Sequence, residues 1–268
     1  MKRKLSMVLM FLFIIACAKT IDESTLIDES TLIEKDATMY LEDSEVPFEG
    51  IAQSKYSSGE RVYTVNYIDG VISGEHSFLN KDGSTKEPIK VEQLEFRDEI
   101  IYALDSEEPY SGIFYMENQN GQKILEGIAL HGKREGRSTE WFDNGKKKLE
   151  GYTHHDLQHG KWNTWYENGN KECEGESHLD KKIGIWRYWH SDGQIDQEMF
   201  WVDGKNTRII NYTLDGMKLM DRNFRDGKKH GKFIKYYPNG QIEKIENYYE
   251  GEQVAPIERW NRDGDRVE

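Results

Sequence analysis

Cysteine is nearly absent from this chain, which holds only Cys17 and Cys173. Cys17 falls in a distinct N-terminal segment, so no intrachain disulfide is expected to hold the fold, even in an oxidising compartment. Positive charge is also scarce. Against 49 Asp and Glu stand 36 Lys and Arg, a net charge of −13. That balance argues against a nucleic-acid partner, because duplex binding is dominated by cations neutralising phosphates. At 36% hydrophobic and 32% charged, the chain is poor in aliphatic core residues, which suits a thin sheet better than a packed globule. Signs of catalysis are missing too. No Ser-His-Asp or Cys-His arrangement stands apart from repeated positions, and no carboxylate pair is singled out. No catalytic residue, cofactor or metal ligand is therefore assigned.

What the chain has is glycine at a fixed interval. Gly121, Gly145, Gly169, Gly193, Gly216, Gly240 and Gly264 recur every 24 residues, with one interval of 23. All seven follow Asn or Asp. A period in this range marks a repeat architecture and outranks any local motif. Asn-Gly and Asp-Gly favour two-residue type I′ hairpin loops, since both central residues need positive φ. The flanking segments are rich in β-branched and aromatic residues, so each unit reads as one β-hairpin. A second glycine lies nine residues before the turn at Gly136, Gly160, Gly184 and Gly231. Asp203-Gly204, Asp226-Gly227 and Glu250-Gly251 mark turns at the other edge. The expected fold is all-β: an elongated antiparallel sheet of tandem hairpins, stacked because one hairpin cannot stand alone.

Aromatic residues keep the same beat. Trp141, Trp165, Trp189, Tyr212, Tyr236 and Trp260 come four residues before a turn glycine. Trp162, Trp186 and Phe233 come two after the other glycine, with Ile209 and Ile257 in the degenerate units. These two positions lie three apart in a strand, so they face opposite ways unless a bulge intervenes. Charges repeat as well: Glu126, Glu150, Glu174, Glu198 and Asp221, with Lys123, Lys147, Lys171 and Lys218. Like charges two strands apart, about 10 Å, lie beyond a Debye length of about 8 Å. Such rows read as a solvated face.

The pattern Gly160-Lys161-Trp162, Trp165-Tyr166-Glu167-Asn168-Gly169, Lys171 and Glu174-Gly175 resembles the MORN repeat in its bacterial variant form. The resemblance runs from about residue 46 to the C-terminus. Unit 207–230 departs most, with Thr207 for the first glycine and Thr213 for the second aromatic; Ala255 replaces the glycine of the last unit. The resemblance implies a repeat sheet used for partner binding. Bacterial proteins with such variant repeats often carry the label of antitoxin. MORN repeats also occur in lipid kinases, but nothing here resembles a kinase catalytic domain.

The N-terminus reads as a targeting segment, residues 1–16, with Lys2, Arg3 and Lys4 before an apolar stretch, Leu5 to Ile15, too short to span a bilayer. Ile14-Ile15-Ala16-Cys17 resembles a bacterial lipobox, which implies cleavage before Cys17 and its lipidation. The expected location is the bacterial envelope, with the outer membrane favoured in a two-membrane cell. Residues 17–37, where Ile21–Leu26 is repeated at once as 27–32, read as a flexible tether. Tyr40–Gly50 and Tyr102–Gly112 match at an offset of 62, so both read as opening strands of hairpin runs. Domains are placed at 38–95, a short module, and 96–268, the main array, with an extra strand pair near 84–101 joining them.

Sharper motifs fail on context. His154, His155 and His159 are the best metal candidates, but a hairpin does not put His155 and His159 on a helix face. Gly127–Arg134 lacks the Ser or Thr and the helix that a phosphate loop needs. Cys173 takes the place of Leu125, Leu149 and Met220 and reads as a small buried apolar residue. The leading expectation is a lipid-anchored, non-enzymatic scaffold binding an unidentified protein through Trp141, Trp162, Trp165, Trp186, Trp189, Tyr236 and Trp260. Two alternatives stay open: an antitoxin or immunity-type inhibitor, and glycan or lipid binding through exposed aromatics.

Overall fold

The computed structural model describes residues 26–55, 59, 61–68 and 70–267; the expected export segment and Cys17 lie outside them. The fold is all-β. From Gly112–Glu117 to Ile242–Tyr249, successive long strands pair antiparallel with their chain neighbours within one sixteen-stranded sheet. Short turns at both edges leave no other choice of partner.

The two edges use different turns, and the sequence expectation for one of them needs correction. At the Asn-Gly tips only the glycine has positive φ (Gly169, 96°), and the preceding residue does not. Tyr166 exchanges N–H···O bonds with Asn170 and Gly169 (2.9 and 2.8 Å), so each tip is a type I turn closed by a left-handed glycine. The two-residue type I′ loops lie at the opposite edge, where His155-Asp156 (48°, 72°), Leu179-Asp180 (48°, 64°) and Asp203-Gly204 (47°, 74°) both take positive φ. The twist of the strands selects type I′ where the loop is two residues long, and Asn or Asp suffices without glycine.

The glycine before each aromatic segment marks a bulge. Gly151 faces Trp162 and Thr153 faces Gln158, so Tyr152 stands against three residues, with Gly160 at φ 80°. In the degenerate unit Phe200 faces Arg208 and Trp201 faces Asn206, leaving Thr207 alone as the extra residue. This bulge is one residue shorter. It accounts for the single 23-residue interval, and it needs no left-handed glycine.

The offset of 62 extends well beyond the matching segments. Ile27–Asp28, Glu29–Thr31, Leu32–Lys35, Thr38–Leu41, Gly50–Lys55 and Arg61–Ile68 recur as Ile89–Lys90, Val91–Gln93, Leu94–Arg97, Ile100–Ala103, Gly112–Glu117 and Lys123–Leu130. Each copy starts with a short strand running parallel to the fourth of these strands, then a 3₁₀ turn and a two-stranded hairpin. The opening strands are thus Gly50–Lys55 and Gly112–Glu117, and the expected strands near Tyr40 and Tyr102 belong to the hairpins. From Ile27 onward the expected tether is regular structure. Leu32 is buried in the core, and the Glu29 carboxylate accepts bonds from Tyr63 and from Tyr67 (2.8 Å). An acidic residue that reads as solvating is thereby an anchor.

Among the described residues, packed core clusters lie toward the N-terminus. One gathers Phe48, Tyr63, Val65, Tyr67 and Phe78 with Leu130, and Ile113 and Ile128 pack against it. The other joins Ile101, Tyr110, Phe114 and Ala129 beneath the second short hairpin. Beyond residue 140 the buried hydrophobic side chains among the described residues are Cys173, Trp186, Ile210 and Phe233, so the array continues as a thin sheet.

Candidate binding surface

Register divides the aromatic residues between two faces. Trp165 pairs with Lys171, while Trp162 pairs with Gly175 on the alternate face. The bulge between Thr164 and Trp165 places its extra residue, Glu172, on the partner strand, so alternation holds along the strand that carries both tryptophans. Trp162, Trp186 and Phe233 share the first face, and Trp141, Trp165, Trp189, Tyr212, Tyr236 and Trp260 the second.

On the first face the aromatics are structural. The Trp162 ring covers Gly151 and the Trp186 ring covers Gly175, where a Cβ would meet either ring at 2.1 Å. Gly151 and Gly175 lie outside the left-handed region, so they are glycine for space alone. Trp186 is buried and its indole N–H donates to Glu176 O at 2.9 Å. It therefore drops out of the expected contact surface, and Trp162 serves the same packing. In the degenerate unit Met199 faces Ile209, which conserves bulk by replacing a small–large pair with two medium ones. Lys182 lies 4.1 Å from the Trp186 ring and donates to Tyr188 Oη at 2.8 Å. Burial pushes the neighbouring Cys173 thiol up to about 11, as suits a packed side chain.

On the second face the row residues are half-buried, and the charges between them are paired. Lys147 bonds Glu150 (2.7 Å) and sits 5.6 Å from the Trp165 ring; Lys171 bonds Glu174 (2.7 Å) and sits 5.9 Å from the Trp189 ring. Arg187 bridges Glu174 and Glu198 (3.3 and 3.0 Å), Tyr212 donates to Glu198 (2.8 Å), and Arg208 grips the buried Asp221. The expected solvated face is thus a lattice of alternating charge. Lys and Arg interleaved on intervening strands remove the repulsion that distance alone was expected to make tolerable. Arg187 has no cationic counterpart in the other units and Arg208 continues the positions of Arg137, Lys161 and Lys232, so neither was singled out for the acid row. Register marks them: Arg187 stands directly opposite Glu174 and Glu198, and Arg208 lies diagonal to Asp221, two residues from its partner Ile210.

The tips are stapled to one another. Asn144, Asn168 and Asn239 donate from Nδ2 to Glu167 O, Ser191 O and Arg262 O of the next tip (3.0, 2.6 and 2.8 Å). Their Oδ1 atoms accept the N–H two residues on. Tyr166 and Tyr237 add hydroxyl bonds to Trp189 O and Trp260 O (2.7 and 3.0 Å). The seven turn glycines Gly121 to Gly264 all take positive φ and shape this edge.

Of the histidines, His154 and His155 come together with Glu34, while the His159 ring stands 5.9 Å from that of His154. Burial alone would depress the His154 imidazolium, but Glu135 and Glu34 outweigh it and push it up to about 9.

Three stretches, 158–177, 182–203 and 229–248, match the family described as MORN repeat variant. Each spans one hairpin about an Asn-Gly or Asp-Gly tip. The interval between the second and third holds Thr207 and Thr213, yet its strands pair in sequence with the rest. No curated protein matches the chain.

Proposed function

With MORN-variant repeats set in one uninterrupted sheet as the premise, we propose that the chain is a non-catalytic scaffold that binds a protein partner. The partner lies along the row Trp141, Trp165, Trp189, Tyr212, Tyr236 and Trp260. The observation that carries this is the row's constant register on one face, half-exposed, with a cation over Trp165 and Trp189. Half-buried tryptophan and tyrosine offer large rigid contact area at little entropic loss, and they dominate interface hot spots. The acid-row carboxylates of this face are paired with Lys and Arg on the same and neighbouring strands. The net charge of −13 favours a partner with a basic surface. The same reading has Cys17 carry the lipid that tethers the scaffold to an envelope membrane.

The test combines Trp165→Ala and Trp189→Ala in the full chain, with circular dichroism melts beside a pull-down from envelope extract. An unshifted melt with loss of a captured partner supports the reading. Unchanged capture, or binding on a glycan array with no protein captured, overturns it. Cys17→Ser should release the chain from the membrane fraction, and retention there would refute the tether.

A further inference from the structure

The geometry points to a divalent transition-metal site, of the zinc class, formed by Glu34, His154 and His155. Nothing in the repeat pattern calls for it. Glu34 lies in the hairpin strand Leu32–Lys35, 120 residues from His154. His154 and His155 lie at the edge of the array, where Lys147–His154 enters its type I′ loop.

His154 is the hub. Its Nε2 is 3.2 Å from Glu34 Oε1 and its Nδ1 is 2.8 Å from Glu135 Oε1. Two ligands at about 2.0–2.1 Å on a tetrahedral zinc stand about 3.3 Å apart. The Glu34–His154 separation is that of a hydrogen bond and equally that of two ligands sharing one ion, which would take the place of the shared proton. The His155 ring stacks on His154 at 4.2 Å, and the three ligand atoms lie within 4.8 Å of one another. Closing His155 onto the same ion takes a shift on the order of 1.5 Å, which an exposed side chain can supply.

The surroundings fit a metal ligand. Glu135 is buried, takes the Nδ1–H of His154, and also accepts the backbone N–H of His155 (2.9 Å). A carboxylate behind an imidazole fixes the tautomer that presents Nε2 to a metal. The three ligands border a cavity of about 190 Å³, with room for water as a fourth ligand. The ion would clamp the N-terminal hairpin onto the sheet, so occupancy and docking of that hairpin are coupled.

The test uses the full chain, stripped by chelation and titrated with Zn²⁺ by calorimetry and with Co²⁺ by visible absorption. One equivalent of either ion should bind, Co²⁺ should show tetrahedral d–d bands, and Zn²⁺ should bleach them. Glu34→Gln and His155→Asn, both exposed positions, should each weaken binding at least tenfold with the circular dichroism spectrum unchanged. Glu135→Gln should weaken it about tenfold or more. Absence of stoichiometric binding overturns the assignment. So does undiminished affinity in both Glu34→Gln and His155→Asn, or loss of binding only on His159→Asn or His178→Asn.

Discussion

Replacing Gly175 by alanine drives a methyl group into the ring of Trp186. The new Cβ would stand 2.1, 2.3 and 2.5 Å from three indole atoms, all of them in the fused-ring core. Favourable carbon contacts begin at about 3.5 Å, so something must yield. Turning the indole out would expose about 150–250 Å², a loss of ~4–6 kcal/mol at about 25 cal/mol per Å². It would also break the bond to Glu176 O. Shifting the two strands apart is the cheaper route, and overpacking of this kind costs about 1–3 kcal/mol. We therefore expect Gly175→Ala to destabilise the array by about 2–3 kcal/mol, read from urea unfolding followed by circular dichroism. The protein contains its own remedy. Met199 faces Ile209 on one side and Trp186 on the other, so Gly175→Met with Trp186→Ile reproduces a pairing the sheet already tolerates. The double variant should recover part of the loss, with a coupling of about 1 kcal/mol or more. A single variant within about 0.5 kcal/mol of wild type, or strictly additive effects, would refute the account of why these glycines are there.

Asn168→Asp keeps the acceptor for Asn170 N–H but loses the donor to Ser191 O, and should cost about 1 kcal/mol; an unchanged melting temperature would contradict the staple. Cys173, its thiol pushed up to about 11 by burial, should resist alkylation at neutral pH until urea unfolds the sheet, and labelling of the native protein at the rate of a free thiol would refute this. For Glu174, burial alone would raise the carboxyl, but Lys171 and Arg187 outweigh it and hold it below the ordinary carboxylate range. Because the folded value is depressed, its stabilisation is complete above the unfolded value and disappears as pH falls through the folded one. The stability gap between wild type and Glu174→Gln should thus narrow on acidification below the usual carboxylate range, and a gap constant from neutral to acid pH would contradict the pairing.

Much of the fold was legible because its determinants are local. Turn glycines, alternating strands and a fixed period each act within one unit, and short turns force neighbours to pair. The rows of Trp165 and Glu174 could be placed by counting. Their roles could not, because facing is set by register and bulge. Trp162 and Trp165, three residues apart, have opposite fates: one seals a glycine, the other lies in an open row. The Asn-Gly tips misled for a related reason. The dipeptide permits two kinds of turn, and the bulge in the flanking strands selects between them. The segment from Ile27 was obscured by its acidic composition, since nothing local shows that Glu29 meets Tyr63 and Tyr67.

By itself the sequence determined the hairpin, its period and the single 24-residue rhythm that stacks one unit on the next, since each of these follows from residues within a few positions of one another. Only the tertiary structure decided which aromatics are packing and which are surface, that the acid row is paired, and that Glu34 reaches His154 across 120 residues. The first two depend on register and bulges between adjacent strands, and the last on how the first module packs against the array; neither can be read from the spacing of neighbours in the chain.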